Sequence, residues 1–375
     1  MRMAGEITRK ERNLLQLYLT KGVGSKFLKE FYKVVGTFEG NLKELLERFF
    51  EVKNLKRDKL NTFLKRLQES EKQLEDVLKD LNRYGVQIVP FYSDRFPKAL
   101  NLLEDIALLF TVGRFEFERG FAIVGTRKAS SEGRKKAFEF ARSLSEKGFL
   151  IVSGGAYGID RVAHEGALSV GGRTAVVLGE GILTALKRGE KLFNEVLQKE
   201  GFLISQFPPN FGATKWSFPK RNALIAALSP FGTLIVEAPE RSGALITAEY
   251  TLQLERNLFV YLGCTHNTNY RGNVNLIASC KGRLVIEPLQ LLELLNAPAK
   301  GVLNSETLKK VVKTKTEKGS EYENDNPLLD YLREKPRTFD ELLALTQMSE
   351  TDLTNLLTEL ELEGKITFEG GYYKL

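Results

Sequence analysis

Two hydrophobic periods divide the chain. Over residues 1–85, Leu14, Leu15, Leu17 and Leu19 lead into Gly22-Val23-Gly24, after which Phe27, Leu28, Phe31, Tyr32 and Val35 return at helical spacing. This pattern predicts an all-α domain of short helices in a helix-hairpin-helix/SAM-like arrangement. Such a hairpin either offers the amides of its Gly-x-Gly turn to a DNA phosphate or serves as a packing and assembly unit. From Val86 the period changes: QIVPFY, FAIVG, FLIVSG, TAVVLG, FLISQF, TLIVEA, LFVYLG and RLVIE read as strands, most of them separated by helix-like segments. Continuously apolar strands alternating with helices predict a parallel sheet covered on both faces. Residues 86–297 are therefore expected to form an α/β, doubly wound, Rossmann-like domain with its ligand at the carboxyl ends of the strands.

Residues 298–325 are poor in apolar side chains and mixed in charge, as suits a solvated linker. Residues 326–375 change character again. NPLLDYLREKP, FDELLALTQ and SETDLTNLLTELELEG predict three helices and KITFEGGYYKL a hairpin, the order of a C-terminal winged-helix domain.

The formal charge of +7 is unevenly spread, with 19 basic against 13 acidic residues over 1–85 but 5 against 10 over 326–375. A basic excess in the first two parts permits a polyanionic partner. The acidic last module, with Glu359, Glu361 and Glu363 just before the wing, points to protein contact or self-association instead of a DNA groove. No apolar run reaches the roughly 18 residues a bilayer span needs, and MRMAGEITRKERN is no secretory signal, so a cytoplasmic protein without a membrane is expected. Two cysteines, Cys264 and Cys280, and two histidines, His164 and His266, form neither CxxC nor HExxH, which predicts no metal site and no disulfide framework.

The candidate chemistry sits where strands turn into helices. FAIVG runs straight into Gly125-Thr126-Arg127, and FLIVS ends in Ser153 and runs into Gly154-Gly155-Ala156-Tyr157-Gly158-Ile159-Asp160. Glycine turns there aim backbone N–H groups and the positive end of a helix at one point, a disposition suited to phosphate. Arg127 at the cleft mouth could grip a phosphate through two parallel N–H bonds, or form a surface ion pair. The turns match neither GxGxxG, with its acidic residue roughly 20 positions on, nor GxxxxGK[ST], so no dinucleotide or other cofactor is expected. Asp160 and His164 lie one helical turn apart; the structural reading, Asp160 as a helix-start cap and His164 as packing, is preferred to an acid–base couple. Lys215-Trp216-Ser217-Phe218-Pro219-Lys220-Arg221-Asn222 interleaves cations with aromatics before ALIAALS, as single strands require, although a core aromatic beside a solvated basic turn has the same pattern. Glu237, after TLIV, would line the same cleft.

Taken together, SGGAYGID followed by AHEGAL, FPKRN followed by ALIAALS, and VEAPERSGALITAE resemble the DNA-processing protein A family over most of residues 86–290. The resemblance implies a non-enzymatic recombination mediator that binds single-stranded DNA, forms a homodimer and helps load the RecA recombinase in natural transformation. The family's phosphate-binding turns fall on Gly125, Thr126, Arg127, Ser153, Gly154, Gly155 and Gly158, and its basic and aromatic contacts on Lys215, Phe218 and Arg221. Departures are Ala223 in place of a second arginine, Ala227 in place of glycine, Gln206 in place of glutamate and Leu262 in place of proline. The competing reading is a nucleotide-processing Rossmann enzyme such as a nucleoside-monophosphate phosphoribohydrolase. It requires a catalytic carboxylate, for which Glu237 is the candidate, but the PGGxGTxxE signature is missing.

Overall fold

The computed structural model of the protein describes residues 7–102, 106–264, 266–296, 327–346, 348, 353, 357, 366–369 and 372–375. Two compact units are present, Met1–Ala297 and Pro298–Leu375.

The first unit opens with four helices, α1 (Arg9–Leu19), α2 (Ser25–Val35), α3 (Leu42–Val52) and α4 (Arg57–Tyr84). Thr8 and Glu11 cap α1 reciprocally, each side chain bonding the other residue's amide, which satisfies two donors that a helix start leaves open. α4 presents Leu67, Leu74, Val77, Leu78 and Leu81 as one buried stripe.

Strands β1 (Gln87–Pro90) and β2 (Leu108–Gly113) follow, and then the alternating series: β3 (Gly120–Val124), α5 (Ser131–Glu146), β4 (Leu150–Ser153), α6 (Ile159–Ser169), β5 (Thr174–Val177), α7 (Ile182–Arg188), α8 (Lys191–Gln198), β6 (Phe202–Ser205), α9 (Ser217–Ala227), β7 (Thr233–Ile235), α10 (Gly243–Gln253), β8 (Leu258–Tyr261), α11 (Arg271–Ala278), β9 (Arg283–Val285) and α12 (Pro288–Asn296). The nine strands lie in the order β1-β2-β6-β5-β4-β3-β7-β8-β9. From β6 to β9 every neighbouring pair is parallel. The chain walks from β3 to β6 in one direction, then returns to β7 on the other side of β3 before adding β8 and β9. That reversal opens a crevice above the carboxyl end of β3, the place where doubly wound sheets hold ligands. Within β3 the faces alternate. Phe121 and Ile123 join Phe140, Leu144 and Ala163 in one core, while Ala122 and Val124 join Leu224, Ile225 and Ala248 in the other.

One strand is absent from the sequence-based expectation. β2 is antiparallel to both β1 and β6. Its apolar run continues from LNLLED, so the window has no clean period of two, and a short apolar run does not separate strand from helix. Among its described residues the link from β1 to β2 holds only the 3₁₀ turn Lys98–Leu102, and the two strands pair antiparallel.

The N-terminal helices, read from sequence as a separate domain, share a core with the sheet. Leu14, Leu17, Phe31, Leu74 and Leu81 are continuous with Phe110, Val176, Leu183 and Leu203. The Tyr18 ring lies 6.2 Å from Phe110 and its hydroxyl donates to the Gln206 carbonyl at 2.9 Å, while Lys187 pairs with Asp80 at 2.7 Å.

In the second unit, helices Pro327–Glu334 and Phe339–Thr346 and a hairpin of Thr367–Glu369 with Tyr372–Lys374 gather Leu328, Leu332, Leu342, Leu353, Leu357 and Ile366 into a small core. The predicted linker over 298–325 and residues Glu359, Glu361 and Glu363 lie outside the described residues. No described helix is long and apolar enough to cross a membrane.

The shared core makes a prediction. Phe110 is fully buried at the junction. Phe110→Ala should destabilise the first unit by about 3–5 kcal/mol. Hydrogen exchange should then accelerate in α1 together with β2; acceleration confined to β2 would show that the helices hold together independently.

Candidate nucleic-acid interface

Three turns meet above β3, and each locks another. The Thr126 amide donates to the Glu237 carbonyl at 2.7 Å, and the Thr126 carbonyl accepts from the Ile159 amide at 3.2 Å. Gly158 adopts φ +90°, and a side chain there would strike the Thr126 and Arg127 carbonyls, so the turn after β4 seats directly on the turn after β3. At Gly154 a side chain would collide with both the Arg221 guanidinium and the Asp160 carboxylate.

These two charges organise the second turn. The Gly154 amide donates to Asp160 Oδ2 at 3.1 Å, and Arg221 Nη1 donates to the Gly154 carbonyl at 2.8 Å and also to the Val177 carbonyl at the end of β5. Burial pushes the Asp160 carboxyl up, opposed by Arg221 and by the amides of Gly125 and Gly154. Burial likewise pushes the Arg221 guanidinium down to about 10, with Asp160 opposing and Arg127 adding to the fall. Arg221 stays a cation at neutral pH.

A second carboxylate pins the entrance of α5. Glu237 is fully buried and accepts from the Ser130 amide at 2.9 Å, the Ser130 hydroxyl at 3.0 Å and Asn269 Nδ2 at 2.6 Å. Ser130 in turn caps α5 through the Gly133 amide at 3.0 Å. A carboxylate beside a helix start is favoured by the dipole. Because its oxygens are engaged inside the wall, Glu237 is not presented to the cleft as the competing enzymatic reading requires.

The structure brings the expected residues to one place but divides them into wall and rim. Ser153 and Arg221 lie in the wall. Ser153 is buried and donates to the Ile123 carbonyl at 2.6 Å, while Arg221 is only 4% exposed. Helix α9 begins at Ser217 with Pro219 in its first turn, and Arg221 points inward under the Gly154 turn. Several amides expected to face a ligand are also engaged, those of Thr126 and Gly154 among them, whereas those of Arg127, Gly155 and Ala156 have no partner among the described residues. Gly125 and Gly155 stay partly accessible, and Gly158 is buried beneath Arg127.

The rim holds exposed Arg127 and Lys215 and half-buried Phe218. The Arg127 guanidinium sits 4.7 Å from the centre of the Phe218 ring, and that ring packs on Gly179 just beyond β5, where a side chain would collide with it. Sequence reasoning named both residues without pairing them. It also missed Ser130 and Asn269, whose only local trace is Ser130 placed as an N-cap.

Asp160 and His164 do not form a couple. His164 is buried, with Nδ1 2.6 Å from Thr174 Oγ1. Thr174 donates its own hydrogen to the Ile151 carbonyl at 2.6 Å, so Nδ1 carries the imidazole proton. Of the departures from the family pattern, Ala223 and Ala227 are buried on α9, and Gln206 donates to the Lys220 carbonyl at 3.3 Å.

Two predictions follow from the wall. Burial pushes His164 down from 6.5 to about 3. The unfolded chain therefore binds a proton between those values that the native state refuses, and stability rises with pH across that window. His164→Gln should flatten urea midpoints between pH 4 and 7; an unaltered slope would place the acid sensitivity elsewhere. Glu237→Ala should cost about 1–3 kcal/mol by stranding the Ser130 and Asn269 donors. Its midpoint should fall well below that of the exposed control Glu240→Ala.

Comparison with known proteins fits this architecture. Residues 87–296, more than half of the chain, match the family model of DNA recombination-mediator protein A, and residues 317–371 match the DprA winged helix domain. Protein Smf of Escherichia coli (strain K12) is 36% identical over 226 residues, covering 59% of this chain and 60% of that protein. Protein Smf of Synechocystis sp. is 31% identical over 294 residues, covering 70% of this chain and 73% of that one. The X-ray structure of DNA processing protein A from Streptococcus pneumoniae superposes with a TM-score of 0.61 at 26% identity, over 76% of this chain and 98% of that one. With the doubly wound sheet, the glycine turns at its switch point and the C-terminal module all accounted for, the chain belongs to the DNA recombination-mediator protein A family, DprA/Smf.

Proposed function

We propose that this protein binds single-stranded DNA across the carboxyl ends of β3, β4 and β5 and acts as a recombination mediator that makes and breaks no covalent bonds. The observation that supports this most directly is the exposed Arg127 guanidinium held over the Phe218 ring at the mouth of the glycine turns. A cation and a ring side by side suit a phosphate and its unpaired base, the pairing that single-strand binders combine. Lys215 and the unpartnered amides of Arg127, Gly155 and Ala156 extend the grip on the backbone, while Ser153, Gly154, Gly158 and Arg221 hold its shape. Family membership supports the remaining parts of the reading: a homodimer delivers the bound strand to the RecA recombinase, in the cytoplasm, without a cofactor.

Titration of fluorescent oligothymidine, duplex DNA and nucleoside monophosphates at two salt concentrations tests the proposal. Oligothymidine should bind best, with affinity falling steeply as salt rises, since bound phosphates release counterions. Tighter binding of a monophosphate, or release of free base from it, would favour the phosphoribohydrolase reading and overturn this one. Arg127→Ala should weaken single-strand binding and reduce the salt slope by about one. An unchanged slope would take Arg127 out of the site.

A further inference from the structure

Most aromatic side chains of the first unit are wholly or partly buried. Among the described residues of that unit, the large aromatic groups left exposed are Tyr157, at 75%, and Trp216, at 55%. Both stand on the rim of the cleft. Tyr157 tips the turn after β4, one residue before the Gly158 that packs on Arg127, and the Arg161 guanidinium lies 5.3 Å from its ring. Trp216 immediately precedes α9, two residues before Phe218, and its ring leans on Phe207 and Phe211 at 5.8 and 5.4 Å. The turn bearing Tyr157 follows β4 and the support beneath Trp216 follows β6, two strand spacings away, about 10 Å.

We infer that Tyr157 and Trp216 are base-stacking platforms beside the Arg127–Phe218 grip, and that they make the site select single strands over duplex. The inference rests on the cleft being the DNA site proposed above. Each ring is braced at an edge or a neighbour and leaves much of its surface to solvent, which is the geometry a base can cover. Bases in a duplex have both faces occupied by their neighbours, and exposing one requires unstacking that costs a few kcal/mol. An unpaired base has a face available. Arg127 and Lys215 would hold phosphates of either form, so discrimination falls to the rings.

Trp216 is the single tryptophan of the chain, so tryptophan emission, excited selectively over tyrosine, reports on it alone. Adding oligothymidine to the full-length protein should quench this emission, and an abasic strand of equal length and charge should bind more weakly without quenching. Tyr157→Ala and Trp216→Ala should each weaken oligothymidine binding by about five- to a hundredfold, while abasic-strand affinity and the salt slope stay as in the parent protein. Trp216→Phe should recover most of the loss. If oligothymidine binds with unaltered emission and both alanine variants match the parent, the inference is overturned while the cleft reading survives through Arg127. If the parent does not bind oligothymidine, or Arg127→Ala leaves binding intact, the cleft reading itself falls and the inference falls with it.

Discussion

The site depends on two buried charges that grip one glycine from both sides of its α-carbon. Asp160 takes the amide of Gly154 and Arg221 holds its carbonyl. Removing either charge from water costs several kcal/mol, and their attraction offsets this only when the remaining donors and acceptors are also satisfied. Gly154 and Val177 meet that condition for Arg221, as do the amides of Gly125 and Gly154 for Asp160. The consequence is mechanical: α9, the turn after β4, the start of α6 and the end of β5 cannot shift independently. Loss of one partner would leave the other uncompensated inside the wall.

With Asp160, Arg221 and Glu237 partnered inside the wall, the rim is left to interact outward. Glu237 is taken up by Ser130 and Asn269, Arg221 by backbone carbonyls, and His164 stays neutral in the core. The rim includes exposed Arg127, Lys215, Tyr157 and Trp216, with half-buried Phe218 among them. The polar residues of the motifs thus fall into two physical classes that a string of letters does not separate. One class shapes the cleft from within, and the other stands on its exposed rim.

The N-terminal helices belong to the same structural argument. Their core runs into β2, β5 and β6, and Tyr18 bonds the carbonyl of Gln206 in the loop that leads to Trp216 and α9. Packing at that junction therefore bears on the loop that carries half of the rim. The second unit has a small core of its own, built by two short helices, two further helical leucines and the hairpin, and it matches the winged helix of the family.

Much of this was determined by the sequence alone. Apolar β-branched runs of strand length, separated by segments of helical period, leave little alternative to a parallel sheet covered on both faces. Glycines placed immediately after FAIV and FLIVS fix where its crevice lies, because those positions leave no room for a side chain. Interleaved cations and rings in KWSFPKR marked the rim of the cleft. Tertiary structure alone decided which of those groups reach it. Helix α9 begins at Ser217, a start set by contacts with Gly179 across the fold, and that start rotates Arg221 inward while leaving Phe218 beside Arg127. Likewise β2 is a strand because β1 and β6 pair with it, a non-local hydrogen-bond ladder that no short window of sequence can encode. Burial and partnership are properties of residues far apart in the chain, whereas period and turn chemistry are local, and the boundary of what could be read lies there.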